Sequence, residues 1–164
     1  MYYELTDAFE VAADIDKTWS FFSTAENLPK ITPAWLNFTV TTPGLITIEN
    51  DTVLDYTIHW MGIPFHWRTR IIDFFPKRQF IDLQIKGPYA LWHHQHAFEP
   101  SAAGVICRDR VIYKLPGCGV QRIAHALLVR KQLLAIFAHR RKVIAEHLGW
   151  VRALQADVII ETLR

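Results

Sequence analysis

Three histidines, His93, His94 and His96, crowd the stretch GPYALWHHQHAFEP at residues 87–100. In an extended chain alternate residues point to opposite faces, so Trp92, His94, His96 and Phe98 share one face and His93, Gln95 and Ala97 the other. Two imidazoles spaced this way can do three kinds of chemistry. They can move protons near neutral pH, chelate a transition-metal ion, or form a buried polar network that satisfies its own hydrogen bonds. The metal reading has partial support: His94 and His96 with Glu99 supply half of a chelating site, which needs a further His from a later Gly-rich strand pair. This chain instead turns helical, so no metal or other cofactor is expected. No Ser or Cys sits in a nucleophile motif, and Cys107 carries no signature of its own.

The histidines need elements to hold them. Residues 3–13 alternate as a strand, Asp14 is placed to cap a helix over IDKTWSFFST, and AENLPKI suggests a second short helix ended by Pro33. Turn signals at 42–44, 61–64, 76–78, 87–88 and 102–104 then separate LNFTVTT, DTVLDYTIHWM, PFHWRTRIIDFF, QFIDLQIK, ALWHHQHAFEP and VICRDRVIYKL. Short connections imply an antiparallel meander. From Gln121 to Leu148 there is neither Gly nor Pro, and the apolar period becomes helical. The expected stripe of that helix runs through Ile123, Ala126, Leu127, Leu133, Leu134, Phe137, Ile144, Ala145 and Leu148. It places Arg130 and Arg141 near its centre. Each of these arginines either pairs with a structural carboxylate or meets a ligand.

Composition bounds the partners. With 51% hydrophobic and 13% aromatic residues among 164, the chain can bury one core and is short for two. A formal net charge of +2 supplies no footprint for nucleic acid. No apolar run approaches about 18 residues, so no integral membrane association is expected, and the predicted location is cytoplasmic. Cys107 and Cys118 are too few for a disulfide framework. The outward parity of His66, Arg68, Arg70, Arg108, Arg110 and Lys114 predicts a basic, solvated convex face.

A strand, two short helices, a curved antiparallel sheet and a long C-terminal helix resemble the α+β helix-grip fold of the START and SRPBCC superfamily. WHHQHAFEP followed by DRVIYKLPG, with FIDLQIKGPY before it, resembles the polyketide cyclase/dehydrase-like subgroup. The positions carrying this are Trp92, His94, His96 and Phe98, then Asp109, Arg110, Val111 and Tyr113, then Leu115, Pro116 and Gly117. The resemblance implies one domain over 1–148, about seven strands, and a cavity between sheet and helix. Residues 149–164 form an extension with no assigned docking.

That cavity gives the alternation a direction. With His94 and His96 inward, the turns at 100–104 and 87–88 set His96 opposite Asp109, His94 opposite Val111, Trp92 opposite Tyr113, Asp82 opposite His94, Phe80 opposite His96 and Gln84 near Trp92. An Asp beside a His fixes its tautomer and raises its pKa. The expected ligand wall is therefore Trp67, Phe80, Trp92, Phe98, Tyr113 and Phe137, with polar groups from Asp82, Gln84, His94, His96, Asp109 and Arg130. The partner this implies is a small hydrophobic or aromatic molecule. A cyclase or dehydratase using His94, His96 or Asp109, and a lipid-transfer or protein-interaction module, are the alternatives.

Overall fold

The structure is a computed structural model and describes residues 1–44, 46–60, 62–117 and 128–163. β1 (Tyr2–Val11) leads into α1 (Ile15–Phe22), whose N-terminus is capped by Asp14 Oδ1 accepting from the Lys17 amide at 2.8 Å. Two single 3-10 turns, Ala25–Asn27 and Ala34–Leu36, carry the chain to β2 (Thr39–Val40). LNFTVTT forms only this two-residue strand, because Asn37 takes a left-handed conformation (φ 41°) at the end of the second turn.

The meander follows as β3 (Val53–Trp60), β4 (Ile63–Phe75), β5 (Gln79–Lys86), β6 (Leu91–Pro100) and β7 (Val105–Lys114). All neighbours are antiparallel, in the order β2-β3-β4-β5-β6-β7-β1. Register breaks between Arg68 and Thr69 and between Ile72 and Phe75 bend the sheet. Its concave side holds α2 (Arg130–Leu148), and this is the helix-grip arrangement. The part of the expected helix over 121–127 lies outside the described residues.

α2 ends at Gly149 (φ 78°), whose amide bonds Ala145 O at 2.9 Å; an added Cβ there would stand 3.1 Å from that of Ala12. The chain then doubles back along the free edge of β1 as β8 (Trp150–Ala153) and β9 (Ile159–Leu163). The extension thus docks on its own sheet. Ile160 and Val158 are buried there, and Arg152 pairs with Glu10 at 2.6 Å.

The core faces α2 and α1. Leu133, Phe137, Arg140, Ile144 and Leu148 are the buried positions of α2. At about 100° per residue Arg140 falls between Phe137 and Ile144, within this set. Leu134 and Ala145, only partly buried, mark a flank, so a stripe that counts them as central is skewed toward Arg130 and Arg141. Arg130 is exposed, correcting the inward expectation, and Arg141 lies on the flank paired with Asp7. The convex face also differs from expectation: Asp55 binds both His66 (2.7 Å) and Arg68 (2.8 Å), and Glu4 binds Arg110 (2.6 Å), so basic residues there alternate with their own carboxylates.

Candidate functional site

β6 and β7 carry the site. The register sets His96 opposite Asp109, His94 opposite Val111 and Trp92 opposite Tyr113, while β5 sets Asp82 opposite His94 and Phe80 opposite His96. Strand parity turns His94, His96 and Asp109 to the concave side, where all three are buried. Asp109 Oδ1 stands 2.9 Å from His94 Nε2 and 2.7 Å from His96 Nδ1. The Arg140 guanidinium arrives from α2, with Nε 3.4 Å from Asp109 Oδ2 and Nη2 3.2 Å from His96 Nδ1.

The charges follow from these contacts. Burial pushes the Asp109 pKa upward, but Arg140 and the two imidazoles outweigh it and hold the carboxyl well below its usual range. An ionised carboxylate only accepts, so the imidazole nitrogens facing it carry protons: Nε2–H on His94 and Nδ1–H on His96. Burial, assisted by His94, pushes His96 down to about 3, so its ring is neutral. Arg140, and not His96, is therefore the counter-ion that α2 brings to Asp109.

A second pair stands alongside. Asp7 lies opposite Asp109 across β1 and β7, and Arg141, the next residue of α2, grips Asp7 through both Nη2 and Nε, the latter at 3.3 Å. Consecutive arginines thus neutralise adjacent buried carboxylates. Burial still raises the Asp7 pKa, with Asp109 adding to the effect.

Above this cluster lies a cavity of about 330 Å3 between the sheet and α2. Its walls are mainly aromatic and aliphatic, and Asp82, His94 and Arg140 meet at its deep end. Trp67 meets Trp92 edge-on at 5.4 Å, stacks on Tyr56 at 5.7 Å and borders Tyr89, which lies 4.8 Å from Trp92. Asp82 accepts from Thr69 Oγ1, and burial raises its pKa against the lowering pull of Thr69, His94 and Arg140. Burial likewise raises the Tyr56 and Tyr89 phenols, which stay neutral. At the shallow end Trp60 Nε1 donates to Gln132 Oε1, tying the β3–β4 hairpin to α2.

Of the expected wall, Trp67, Trp92, Phe137, Asp82 and His94 line this cavity. His96 and Phe80 instead border a much smaller void, about 20 Å3, beside Asp82 and Arg140. Phe98 is covered by α1, 4.8 Å from Phe22 and 5.7 Å from Trp19. Tyr113 lies beneath the wall, stacked on Tyr3 at 5.4 Å, and Asp109 lies behind the histidines. Gln84 braces the β5–β6 turn through Tyr89 O (2.7 Å) and Tyr89 N (3.3 Å) rather than facing the cavity. Arg130 is exposed and outside the lining. Sequence reasoning missed Arg140, Tyr56, Tyr89, Trp60 and Gln132. Arg140 was findable as the cation between Phe137 and Ile144 on the helical wheel. The tyrosines carried no signal beyond parity with Trp67 and proximity to the Gly87–Pro88 turn.

His94, His96 and Asp109 also offer three ligand atoms within 4.8 Å of one another. These atoms already satisfy each other through N–H donors, and a guanidinium sits against two of them. A divalent ion would have to join a cluster whose positive charge is in place.

A curved sheet gripping a C-terminal helix over an aromatic cavity defines a START-like, SRPBCC-class protein. Residues 11–131 match the family described as polyketide cyclase / dehydrase and lipid transport, and the chain belongs to that family. Similar solved structures include the di-domain ARO/CYC StfQ from the steffimycin biosynthetic pathway (15% identity, TM-score 0.70, 90% of this chain and 51% of StfQ). A protein from Thermus thermophilus (14%, 0.70, 88% and 96%) and a START superfamily protein from Mycobacterium smegmatis (14%, 0.67, 89% and 97%) are others. The chain thus spans about half of StfQ, and identities this low establish the fold alone. A search of curated protein sequences finds no match.

Proposed function

We propose that this protein binds a small, uncharged, mostly apolar or aromatic molecule in the cavity between sheet and α2, with a hydroxyl or carbonyl oxygen at the deep end. The observation that carries this is the closely packed aromatic wall converging on Asp82, His94 and Arg140. The charge balance supports a neutral ligand: Asp109 and Arg140 offset each other, and His96 is neutral. Titrating naphthol, quinone and fatty-acid probes while following Trp emission tests it. Saturable quenching by the aromatic probes, weakened in Trp92→Ala, is expected; no response to any probe rejects the reading.

One observation favours a second reading, proton transfer of the cyclase or dehydratase type. His94 lines the cavity and has an ionised Asp behind it, so its remaining ring nitrogen is a base oriented by Asp109. Arg140 would steady an enolate oxygen. In this reading His96, too weak a base when pushed down to about 3, positions Asp109 and does not take the proton. His94→Gln would then abolish turnover of an aromatic polyketone probe while preserving fold, and His96→Gln would only slow it. Equal activity of His94→Gln and the unaltered chain rejects it.

A further inference from the structure

The lining of the cavity reaches one end of the sheet. Trp60, Tyr89, Leu115, Val129 and Gln132 line the cavity from the ends of β3 and β7, the β5–β6 turn and the start of α2. The β3–β4 hairpin projects furthest: Lys86, the last residue of β5, pairs with Arg68, five residues beyond the Ile63 that begins β4. The tip therefore overhangs β5 by about 17 Å.

Large apolar side chains stand exposed around this end, Ile85 next to Lys86 and Tyr2 under Lys114 among them, and three others stand on separate elements. Ile63 at the hairpin tip is 58% exposed, Trp35 in the second 3-10 turn 50%, and Leu128 just before α2 42%. The 3-10 turn is fixed here by Asn37 Nδ2 against His59 Nδ1 at 3.3 Å. Lys86 ends β5 on this side, and Arg130 and Lys131 open α2; all three are exposed, with no carboxylate in salt-bridge range among the described residues.

The sequence makes this end poor in acid: the nearest carboxylates in register are Asp55, paired with Arg68, Glu4, paired with Arg110, and Glu161 opposite Glu4. Residues 27–40, 56–68, 83–98, 110–117 and 128–145 contain no Asp or Glu. The acids of the turns sit at the other end, among them Asp14, Asp16, Glu49, Asp51, Asp73 and Glu99. A net charge of +2 conceals this polarity along the strands.

We propose that the open end of the cavity docks on an anionic lipid bilayer, with Ile63, Trp35 and Leu128 entering the headgroup boundary and Lys86, Arg130 and Lys131 meeting acidic headgroups. Apolar tips on separate protrusions suit a bilayer, which yields to each tip in turn. A protein partner would need a complementary solid surface. Cations near an acidic leaflet add attraction that fades within a Debye length, so the acid-poor end faces the lipid and the acid-rich end the water. Docked this way, the cavity opens onto the apolar phase. No helix among the described residues is long and apolar enough to cross a membrane, so this is contact at the surface.

Cosedimentation tests the proposal, using vesicles of phosphatidylcholine alone and with about 30 mol% phosphatidylserine, in low and high salt. The full chain is expected to sediment with the acidic vesicles in low salt and much less with neutral ones. Arg130→Glu with Lys131→Glu should reduce binding roughly tenfold or more. Ile63→Ser with Leu128→Ser should reduce it independently, while Phe75→Ser, exposed at the opposite end, should not. All are surface changes, and circular dichroism verifies the fold. Absence of vesicle binding, equal loss in Phe75→Ser, or capture on an acidic protein resin without vesicle binding would overturn the proposal. Cavity occupancy is read separately by Trp quenching, so failure of docking and failure of ligand binding are distinguishable.

Discussion

Replacing Asp109 by Asn, Arg140 by Met, and both together measures how the buried cluster holds its charge. Asp109→Asn removes the carboxylate from two imidazoles and leaves the guanidinium, 3.4 Å away and buried, without its counter-ion. Breaking such a pair from one side costs about 3–5 kcal/mol, a large part of the ~5–15 kcal/mol that stabilises a typical domain. Arg140→Met should cost less, about 1–3 kcal/mol at pH 8, because Asp109 keeps both histidine donors. Burial is the largest influence holding His96 down and the guanidinium the smallest, so losing Arg140 does not by itself charge that imidazole. The double variant leaves neither charge stranded, and its loss should fall short of the sum by about 1–3 kcal/mol. Urea unfolding followed by Trp emission at pH 8 supplies the cycle. Additivity within about 0.5 kcal/mol would refute the assignment of Arg140 as counter-ion.

Acid should destabilise the fold through His96: its folded pKa of about 3 lies below the unfolded 6.5, so the stabilisation present above 6.5 is lost as pH falls toward 3. This group alone contributes a slope of up to about 1.4 kcal/mol per pH unit. Asp109, also depressed, acts in the same direction below its usual range, whereas the raised Asp7 and Asp82 oppose the loss as they protonate. Urea midpoints should fall from pH 7 to 5 and flatten in His96→Gln; a rise would contradict this. Ending the chain at Leu148 strips one edge of β1 and the buried Val158 and Ile160, for an expected loss of about 3–5 kcal/mol and a tendency to self-associate. An unchanged melting temperature and a monodisperse elution profile would show the extension to be dispensable. Asp82→Asn keeps a polar partner for Thr69 and should change stability by less than about 1 kcal/mol, while Asp82→Leu should weaken an oxygen-bearing probe more than a hydrocarbon one. Equal affinities of both variants for both probes would remove Asp82 from the site.

What the sequence made legible was local. Alternation and turn positions place Asp82, His94, His96 and Asp109 together, because strand parity and hairpin register are set by neighbouring residues. The helix was legible as an element but not in phase. Its apolar stripe is wide, and the residue that completes the cluster is a cation inside that stripe, whose burial makes sense only once Asp109 is known to face it. Phe98 shows the same limit from the other side: its inward parity is right, yet α1 fills the space in front of it with Trp19 and Phe22. Gln84 is diverted by the turn next to it, and the docking of 149–164 depends on a β1 edge that nothing in the tail advertises.

The six tryptophans offer the most direct test of ligand binding in the cavity. Trp60, Trp67 and Trp92 line it, whereas Trp19 packs behind Phe98, Trp35 is exposed and Trp150 stacks on Phe9 at 6.2 Å. Titrating 15N-labelled protein with a naphthol probe resolves their indole N–H signals. Saturable shifts of Trp60, Trp67 and Trp92, with the other three unmoved, are predicted. No shift in the first three, or shifts centred on Trp150, would contradict the assignment of this cavity as the binding site.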